Sequence, residues 1–462
     1  MFKTILAFGI AALLLFQPAP ASSQALSGKN AAALDKDIAS ILRRSDVPSA
    51  SIAIVRDGKI VYLKAYGLGR LQPRQPATIN MRYAAGSVSK QFTATAVLML
   101  AEDGMLSLDD PIGKYLPGLT AGDKITIRQL LNHTAGYADY WPIDYVSREQ
   151  KRPIAPIELA RAHATGPLDF QPGEDSRYCN TCYVIAGLIV EKVSGEPLER
   201  FMDERIFRPL GITDVVDIDR NPLGPSDATG YTRYAFGPVR AAPISGAGWL
   251  FAAGALAFRS EDLARWDIAM INRTLLKPQS YEQQLTAGKL NNGNSMVWGL
   301  GVQLDTIKGH KVIEHSGTIS GFTAHNRVYP DDRAAIVVLT NADFAGAARD
   351  AIVDRIAATI LPGDSETAAD RAIYDLLRQG RVDPAKLTQN ARCYFTPEVL
   401  ADYRSSLAHL GDPISFSRRG KWNRGGLIGE VYNVVYPDRV VEFDLFKTHD
   451  GKYEEAVVYP PS

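Results

Sequence analysis

The chain has 462 residues, 46% of them hydrophobic and 22% charged, which is typical of a globular protein with room for two or three domains. Its 51 basic and 51 acidic side chains balance, which argues against a general binder of nucleic acid or of anionic membranes. Three cysteines are too few for a disulfide scaffold.

The first residues predict an export signal. Lys3 precedes an apolar stretch over residues 4–16 that is too short for a comfortable transmembrane span. Cleavage is expected near Ala21 or Ala25, and the alternative is an uncleaved membrane anchor. We therefore expect a periplasmic or secreted protein without a stable membrane anchor after cleavage.

The next segment predicts a helix, a β-hairpin and a second helix. Residues 30–44 have an amphipathic pattern, and two β-branched runs, 51–56 and 59–66, are joined by the turn Asp57-Gly58. Another helical run begins at Ser87, after an extended-looking segment. The hairpin is expected to open a sheet that the first helix flanks.

The middle of the chain predicts a helical insertion and then the completion of the sheet. Residues 106–215 are mostly helical in pattern and are punctuated by Pro and Gly. Further strands are expected over 297–304, 311–315, 322–329 and 334–340, followed by a helix over 345–360. The fold class is therefore α/β, with a sheet flanked by helices and an all-helical subdomain.

A linker is predicted at residues 362–366, where the composition shifts. The remainder carries helical patterns and three strands, and Asp450-Gly451 joins the last two strands as a hairpin. The predicted division is a signal peptide over 1–25, a first domain over 26–363 and a small α+β accessory domain over 364–462.

Ser87-Val88-Ser89-Lys90 is the only Ser-x-x-Lys sequence in the chain. In a helix, Lys90 lies one turn after Ser87 and within reach of its hydroxyl, while Ser89 points away from this lysine. Unpaired N–H groups at a helix start favour the negative charge that develops during nucleophilic attack. Alone, the motif is more typical of an N-cap serine beside a solvated lysine, so downstream motifs must decide.

Cys179 and Cys182 form a C-x-x-C pair, which in an exported protein could be a redox pair. No thioredoxin-like βαβ pattern surrounds them, which favours two small, half-buried residues over a redox pair and leaves their oxidation state open. No Cys/His cluster has zinc spacing, and no complete nucleotide-binding motif occurs, so we expect neither a metal nor another cofactor.

Three further motifs follow in order: His133-Thr134-Ala135-Gly136, Tyr178-Cys179-Asn180 and His315-Ser316-Gly317-Thr318. With the Ser-x-x-Lys motif, they resemble the serine β-lactamase and D-alanyl-D-alanine-peptidase superfamily. The nearest likeness is to class C β-lactamases and their peptidase and esterase relatives, over about residues 30–361. The resemblance implies a central antiparallel sheet beside a helical lobe.

The resemblance also implies roles for the site. Ser87 would be the nucleophile of an acyl-enzyme, and either Lys90 or Tyr178 would take its proton. Cations around Tyr178 would favour its phenolate. Asn180 would donate to a substrate amide oxygen. The N–H groups of Ser87 and Thr318, next to Gly317, would form the oxyanion hole, and His133 is expected to pack a turn.

The third motif departs from the Lys-Thr-Gly of the family's β-lactamases, because His315 replaces the lysine. A histidine titrates near neutrality, so activity is expected to follow one group with a pKa near 7. The leading prediction is an exported, metal-free serine hydrolase of D-amino-acid peptides or short esters. The alternatives are a class C-like β-lactamase and a penicillin-recognising sensor without turnover. The expected partner is a small peptide, ester or β-lactam, with no nucleic acid.

Overall fold

The computed structural model describes residues 26, 28–141, 143, 145–361, 365–413, 415–436 and 439–459. They form two compact units that divide between Ile360 and Leu361. The predicted export signal and the cleavage positions Ala21 and Ala25 lie outside the described residues. None of the described helices is both long and apolar enough to cross a membrane.

The helices of the first unit flank its sheet and build the predicted helical subdomain. They are α1 (Gly28–Arg44), α2 (Ser89–Glu102), α3 (Ile127–Leu131), α4 (Pro156–Ala164), α5 (Asn180–Ser194), α6 (Leu198–Met202), α7 (Phe251–Gly254), α8 (Ser260–Asn272), α9 (Pro278–Gln284) and α10 (Gly346–Ile360). Helices α3 to α6 fall in the region 106–215 whose pattern is helical. Helix α2 is buried all round, and its Phe92 packs against Phe258 and Trp266 with ring centroids 5.1 and 4.6 Å apart.

The strands of the first unit are β1 (Ser49–Arg56), β2 (Lys59–Arg70), β3 (Gln75–Pro76), β4 (Tyr83–Ala84), β5 (Val216–Asp217), β6 (Tyr231–Thr232), β7 (Arg240–Ala241), β8 (Leu256–Phe258), β9 (Gln303–Ile307), β10 (His310–Ile319), β11 (Phe322–Tyr329) and β12 (Ala334–Thr340). The central sheet has the order β3-β2-β1-β12-β11-β10-β9, and each neighbouring pair is antiparallel. Pairing of β1 with β12, with Ile52 opposite Val338, joins the early hairpin to the late strands. The expected central antiparallel sheet is confirmed.

Helices cover both faces of this sheet. Neighbouring residues of a strand point to opposite faces, and seven consecutive residues of β1, Ser49 to Val55, are buried. Helix α8 packs on β1 and β12, and α10 packs on β11 and β12 and against α1. This two-sided burial explains why the strands read as continuous apolar runs rather than as an alternating pattern.

One predicted strand begins later than expected. The pattern over 297–304 predicts a strand, but β9 starts at Gln303 and the preceding residues form irregular backbone. Gly301 has a φ of 75°, and a Cβ there would lie 2.8 Å from the Lys90 carbonyl oxygen. Close packing on α2 therefore replaces the strand with a loop that carries Trp298.

The second unit packs helices on a four-stranded sheet. Its elements are α11 (Ser365–Arg378), α12 (Gln389–Tyr394), α13 (Pro397–Leu407), β13 (Ser415–Arg424), β14 (Leu427–Val435), β15 (Val440–Lys447) and β16 (Tyr453–Tyr459), with antiparallel strands in the order β13-β14-β15-β16. Strand β13 is absent from the prediction because its basic, polar sequence hides the apolar period. Buried Lys447 pairs with Asp370 at 3.1 Å and also with Glu430, which ties α11 to the sheet.

Asn341, after the last strand of the central sheet, joins three segments of the first unit. Its fully buried side chain accepts a hydrogen bond from the Ser49 N–H at 2.8 Å. Its amide nitrogen donates to the carbonyl oxygens of Leu68, Gly69 and Thr229 at 3.1 to 3.3 Å. The residue thus satisfies backbone groups at one end of the sheet.

Asn341→Ala is expected to lower the free energy of unfolding by about 2–3 kcal/mol, because it leaves buried backbone groups without partners. Chemical denaturation of the full chain measures this change. Asn294→Ala is the control, since Asn294 is exposed, and a change of less than about 0.5 kcal/mol is expected there. Equal effects of the two substitutions would contradict the role of Asn341.

Candidate active site

Ser87 lies in a single 3-10 turn, Gly86–Val88, that leads directly into α2. The predicted helix therefore begins with a 3-10 turn, which is wound more tightly than an α-helix. Ser87 lies in this turn and is partly exposed. Gly86 has a φ of 53°, which an L side chain rarely adopts. Ser89, the rival serine, instead donates to the Gly86 carbonyl oxygen at 2.7 Å and accepts from the Leu256 N–H, so its hydroxyl is engaged in the backbone.

Lys90 is fully buried below Ser87. Its Nζ lies 3.0 Å from Ser87 Oγ, 2.8 Å from Asn180 Oδ1 and 2.7 Å from the Ala253 carbonyl oxygen. Burial in the core lowers the pKa of Lys90 to about 7, while the negative charge of Asp139 opposes this shift. A large fraction of Lys90 is therefore neutral at physiological pH and can accept a proton from a hydroxyl at hydrogen-bond distance.

Asn180 links Lys90 to Asp139, a residue that the sequence analysis did not identify. While Asn180 Oδ1 accepts from Lys90, its Nδ2 donates to Asp139 Oδ2 at 3.0 Å. Asp139 Oδ1 accepts from the backbone N–H groups of Asn180 and Trp141. The carboxylate thus fixes the orientation of the Asn180 amide, and one amide hydrogen stays for the substrate contact expected of this residue.

Tyr178 is buried beside Ser87, but cations do not surround it as a phenolate would require. Burial raises its pKa well above 10, so the phenol is neutral. Its hydroxyl has no well-formed hydrogen bond among the described residues. Lys90 Nζ lies 4.9 Å from the centre of the Tyr178 ring rather than at its oxygen. Tyr178 is therefore a phenol here, which agrees with a proton carrier, one of the two roles that the sequence left open.

An aromatic cluster holds Tyr178 in place. The ring centroids of His133 and Trp298 lie 4.6 and 5.6 Å from that of Tyr178. His133 Nδ1 accepts from the Cys179 N–H at 3.1 Å, and its carbonyl oxygen accepts from the Arg177 N–H at 3.0 Å. His133 therefore packs against the Tyr178 ring and also hydrogen-bonds to the backbone on both sides of Tyr178. The sequence analysis did not identify Trp298 as a site residue, because it placed this residue in a strand over 297–304.

His315 is neutral at physiological pH, which corrects the expectation of a group titrating near 7. Burial, with the nearby charge of Lys90, lowers the pKa of His315 to about 3. Its Nδ1 lies 2.6 Å from the Ser316 carbonyl oxygen, and its Nε2 is buried without a partner among the described residues. An imidazole that donates through Nδ1 presents an acceptor at Nε2.

The close approach of β10 to the Ser87 turn depends on Gly317. A Cβ at this position would lie 1.9 Å from the Ala85 carbonyl oxygen and 3.1 Å from the Ser87 nitrogen. Only glycine allows the two backbones to come this near. The N–H groups of Ser87 and Thr318, the predicted oxyanion hole, therefore lie on adjoining segments at the edge of one cleft.

This cleft has a volume of about 830 Å³, and all the predicted site residues except Lys90 and Gly317 line it. Its lining includes Ser87, Tyr178, Asn180, His315 and Thr318. Lys90 lies beneath its floor and reaches it through Ser87. The walls further contain Asp139, Trp141, Arg233 and Trp298, which sequence motifs alone could not place.

Cys179 and Cys182 form a disulfide, which settles a redox state that the sequence left open. The bond spans the first turn of α5, so it restrains the backbone between Tyr178 and Asn180. Both cysteines are buried, and the remaining one, Cys393, is exposed. The C-x-x-C spacing at a helix start was the sequence signal for this bond. The lack of a thioredoxin-like βαβ pattern around it argued against a redox pair, but it does not exclude a structural disulfide.

The fold defines a serine hydrolase of the β-lactamase and transpeptidase type, and the cleft holds the Ser-x-x-Lys motif. The sequence profile of the family described as Beta-lactamase matches residues 34–359. The chain belongs to this family.

Relatives with known names and structures are similar over much of the chain. Penicillin-binding protein 4* of Bacillus subtilis (strain 168) is 27% identical over 442 residues, which cover 88% of this chain and 94% of that protein. The structure of a D-stereospecific amidohydrolase from Streptomyces sp. is 28% identical, with a TM-score of 0.57, and the match covers 68% of this chain and 94% of that one.

A third similarity concerns the fold alone. The D-amino acid amidase from Ochrobactrum anthropi SV3, in complex with L-phenylalanine amide, is 24% identical with a TM-score of 0.60. The match covers 71% of this chain and 98% of the amidase. The catalytic unit thus shares its architecture with a nearly complete amidase chain.

Alkylation under denaturing conditions without a reductant is expected to label Cys393 alone, because the other two cysteines are joined. After reduction, all three cysteines of the chain should be labelled. Intact mass counts the adducts. In Cys393→Ser the unreduced protein should take up no label, and any labelling of unreduced Cys179 or Cys182 would refute the disulfide.

Proposed function

We propose that the protein is an exported serine hydrolase that cleaves amides and esters of D-amino acids, including D-amino-acid peptides, through an acyl-enzyme. The observation that carries this proposal is the contact of 3.0 Å between Ser87 Oγ and a buried lysine whose pKa is about 7. Such a lysine can act as a base at neutral pH, which a solvated lysine cannot. The first unit alone supplies these residues.

The reaction would follow from the arrangement of these groups. Lys90 takes the proton of the Ser87 hydroxyl as Oγ attacks the substrate carbonyl carbon, and the N–H groups of Ser87 and Thr318 stabilise the oxyanion. Collapse of the intermediate breaks the bond to the leaving group and returns the proton to it. Water then attacks the acyl-enzyme and loses a proton to Lys90. Collapse of this second intermediate breaks the bond from the acyl carbon to Ser87 Oγ, Lys90 returns the proton to Oγ, and the acid is released.

Tyr178 fits the role of a proton carrier rather than that of the base. Its pKa is raised by burial, so the phenol remains protonated and can pass a proton from Lys90 to the leaving group. Its ring centroid lies 6.1 Å from that of His315. The proton would therefore reach the leaving group at the His315 end of β10.

The charge of the cleft supports amides and esters over substrates with a free carboxylate beside the scissile bond. A neutral His315 supplies no positive charge where Lys-Thr-Gly enzymes have a lysine. Arg233, which lines the cleft, pairs with Asp46 at 3.4 Å and stacks on Phe344. The similarity to a D-stereospecific amidohydrolase and to a D-amino acid amidase supports the D-amino-acid preference.

Intact mass and turnover test the proposal together. The mature protein and Ser87→Ala are mixed with D- and L-phenylalanine amide, a short ester and benzylpenicillin. We expect turnover of the D-amide and the ester by the wild type, with at least a hundredfold loss in Ser87→Ala. Rapid penicillin consumption would favour a β-lactamase, and a persistent penicilloyl adduct without amide or ester turnover would favour a sensor. Either result would overturn the proposal.

Acylation of Ser87 is expected to accelerate as pH rises through about 7 and then to level off, because Lys90 must be neutral to take the proton. A kcat/KM profile for a short ester between about pH 5 and pH 9 measures this. His315→Asn should keep the inflection, since the pKa of His315 near 3 leaves it neutral over that range. Loss of the inflection in this variant would assign it to His315 instead.

A further inference from the structure

Helix α7 supplies one of the three hydrogen-bond acceptors of Lys90. The Ala253 carbonyl oxygen lies 2.7 Å from Lys90 Nζ, and the Ala252 carbonyl oxygen accepts from the Thr93 hydroxyl, also at 2.7 Å. Lys90 and Thr93 both belong to α2, so these two bonds join α7 to α2. The position of this short helix therefore decides whether the buried amine of Lys90 keeps one of its partners.

The backbone at the start of α7 is strained. Phe251 has a φ of 30°, which L residues rarely adopt and bulky ones least of all. Its ring is buried and closely packed, since a Cβ at Gly187 would lie 2.9 Å from its Cε1 atom. A conformation of this kind persists only where the surrounding structure imposes it. Another group must therefore hold the Phe251 backbone.

Asp219 provides this hold. Its Oδ2 accepts from the N–H of Leu250 at 3.1 Å and from the N–H of Phe251 at 2.7 Å. The second N–H belongs to the strained residue itself, so the carboxylate fixes the peptide group on one side of the φ rotation. Hydrogen bonds from N–H groups to a carboxylate are stronger than those between neutral groups. They offset the strain at the entrance of α7.

Asp219 is itself anchored to the strand that follows α7. Strand β5 pairs antiparallel with β8, and the Ile218 N–H donates to the Ala255 carbonyl oxygen at 2.8 Å. Asp217 Oδ1, at the end of β5, accepts from the Asp219 N–H at 2.9 Å. Because Ala255 and β8 follow α7 in the chain, residues 216–219 hold both the start and the end of this helix.

We propose that Asp219 is a positioning residue of the Ser87 site, which holds the strained start of α7 and thereby keeps the Ala253 carbonyl oxygen against Lys90. Asp219 does not line the cleft, so it acts through α7 rather than on a substrate. It also lies outside the sequence motifs. The proposal rests on the proposed function, because it needs Lys90 to be the base for Ser87.

Other titratable groups also face Lys90, but from other segments. They are Asp139, His133, Tyr178, Tyr183 and His315. The hydrogen bonds that hold Asp139, His133, Tyr183 and His315 lead to residues outside α7. Substitution of Asp219 can therefore reach Lys90 through α7 or through the loss of the carboxylate charge, and the variants below separate these two routes.

The test is the pH profile of kcat/KM for p-nitrophenyl acetate in the wild type and in Asp219→Ala. The Ala253 carbonyl oxygen stabilises the ammonium form of Lys90, so loss of this acceptor lowers the pKa of Lys90. The inflection near pH 7 should therefore move about one unit toward acid in Asp219→Ala. The plateau of kcat/KM should also fall about tenfold, because the amine is no longer aimed at Ser87 Oγ.

Asp219→Asn separates the hydrogen bonds from the charge. A single oxygen, Oδ2, accepts both N–H groups, and asparagine can place its one amide oxygen there. This variant should keep the inflection of the wild type and lose less than about threefold in kcat/KM. An inflection that moves as far as in Asp219→Ala would assign the effect to the charge and would refute the positioning role.

Asp227→Ala is the matched control for general destabilisation. Asp227 is buried, accepts from the Gly224 N–H at 2.7 Å and pairs with Arg82, and it does not line the cleft. Its loss should lower the free energy of unfolding and leave the inflection in place. If Asp219→Ala does not fold, Asp219→Ser takes its place with the same expected shift, because the serine hydroxyl is one bond shorter than the carboxylate.

The outcomes distinguish this inference from the proposed function. An inflection that stays in place or moves to higher pH in folded Asp219→Ala, while hydrolysis requires Ser87, contradicts the role of Asp219 and leaves the proposed function standing. A shift of equal size in Asp227→Ala does the same. Ester hydrolysis that persists fully in Ser87→Ala, or a wild-type profile without an inflection, would overturn both.

Discussion

The burial of one ammonium group is the constraint on which the site depends. Helix α2 is enclosed by the sheet and the helical subdomain, so Lys90 enters the core with it. Removing a charge from water costs several kcal/mol unless the group is paired or becomes neutral. Here three acceptors, none of them a carboxylate, satisfy the amine, and its pKa falls to about 7. The core thereby brings the pKa of this amine into the range that the proposed base needs.

The remaining geometry keeps the Ser87 hydroxyl at the surface of that core. Gly317 allows β10 to touch the Ser87 turn, and Gly301 allows the Trp298 loop to touch α2. His133 and the disulfide restrain the segment from Tyr178 to Asn180 from its two sides. The two glycines allow backbone contacts that a larger side chain would prevent. Together with His133 and the disulfide, they hold four separate segments of the chain around one hydroxyl.

The neutral imidazole of His315 distinguishes this site from the Lys-Thr-Gly motif that the sequence analysis ascribes to the family's β-lactamases. A second lysine would place another cation near Lys90 and would attract a substrate carboxylate. A buried neutral imidazole does neither, and its Nε2 remains an acceptor without a partner among the described residues. The substrate class suggested by the cleft therefore follows from electrostatics as much as from shape.

The sequence by itself determined the central antiparallel sheet and most of its strands, because local periodicity survives without tertiary context. Its short motifs also pointed to Ser87, Lys90, Tyr178, Asn180 and His315, which the fold brings together at one cleft. It could not determine the partners of those residues. Asp139 and Trp298 lie in no recognisable motif, the choice between Lys90 and Tyr178 as the base stayed open, and the pKa of His315 lies far below the expected value near 7. A pKa depends on the water and charge that surround a group in three dimensions, and only the folded core decides how much of either remains.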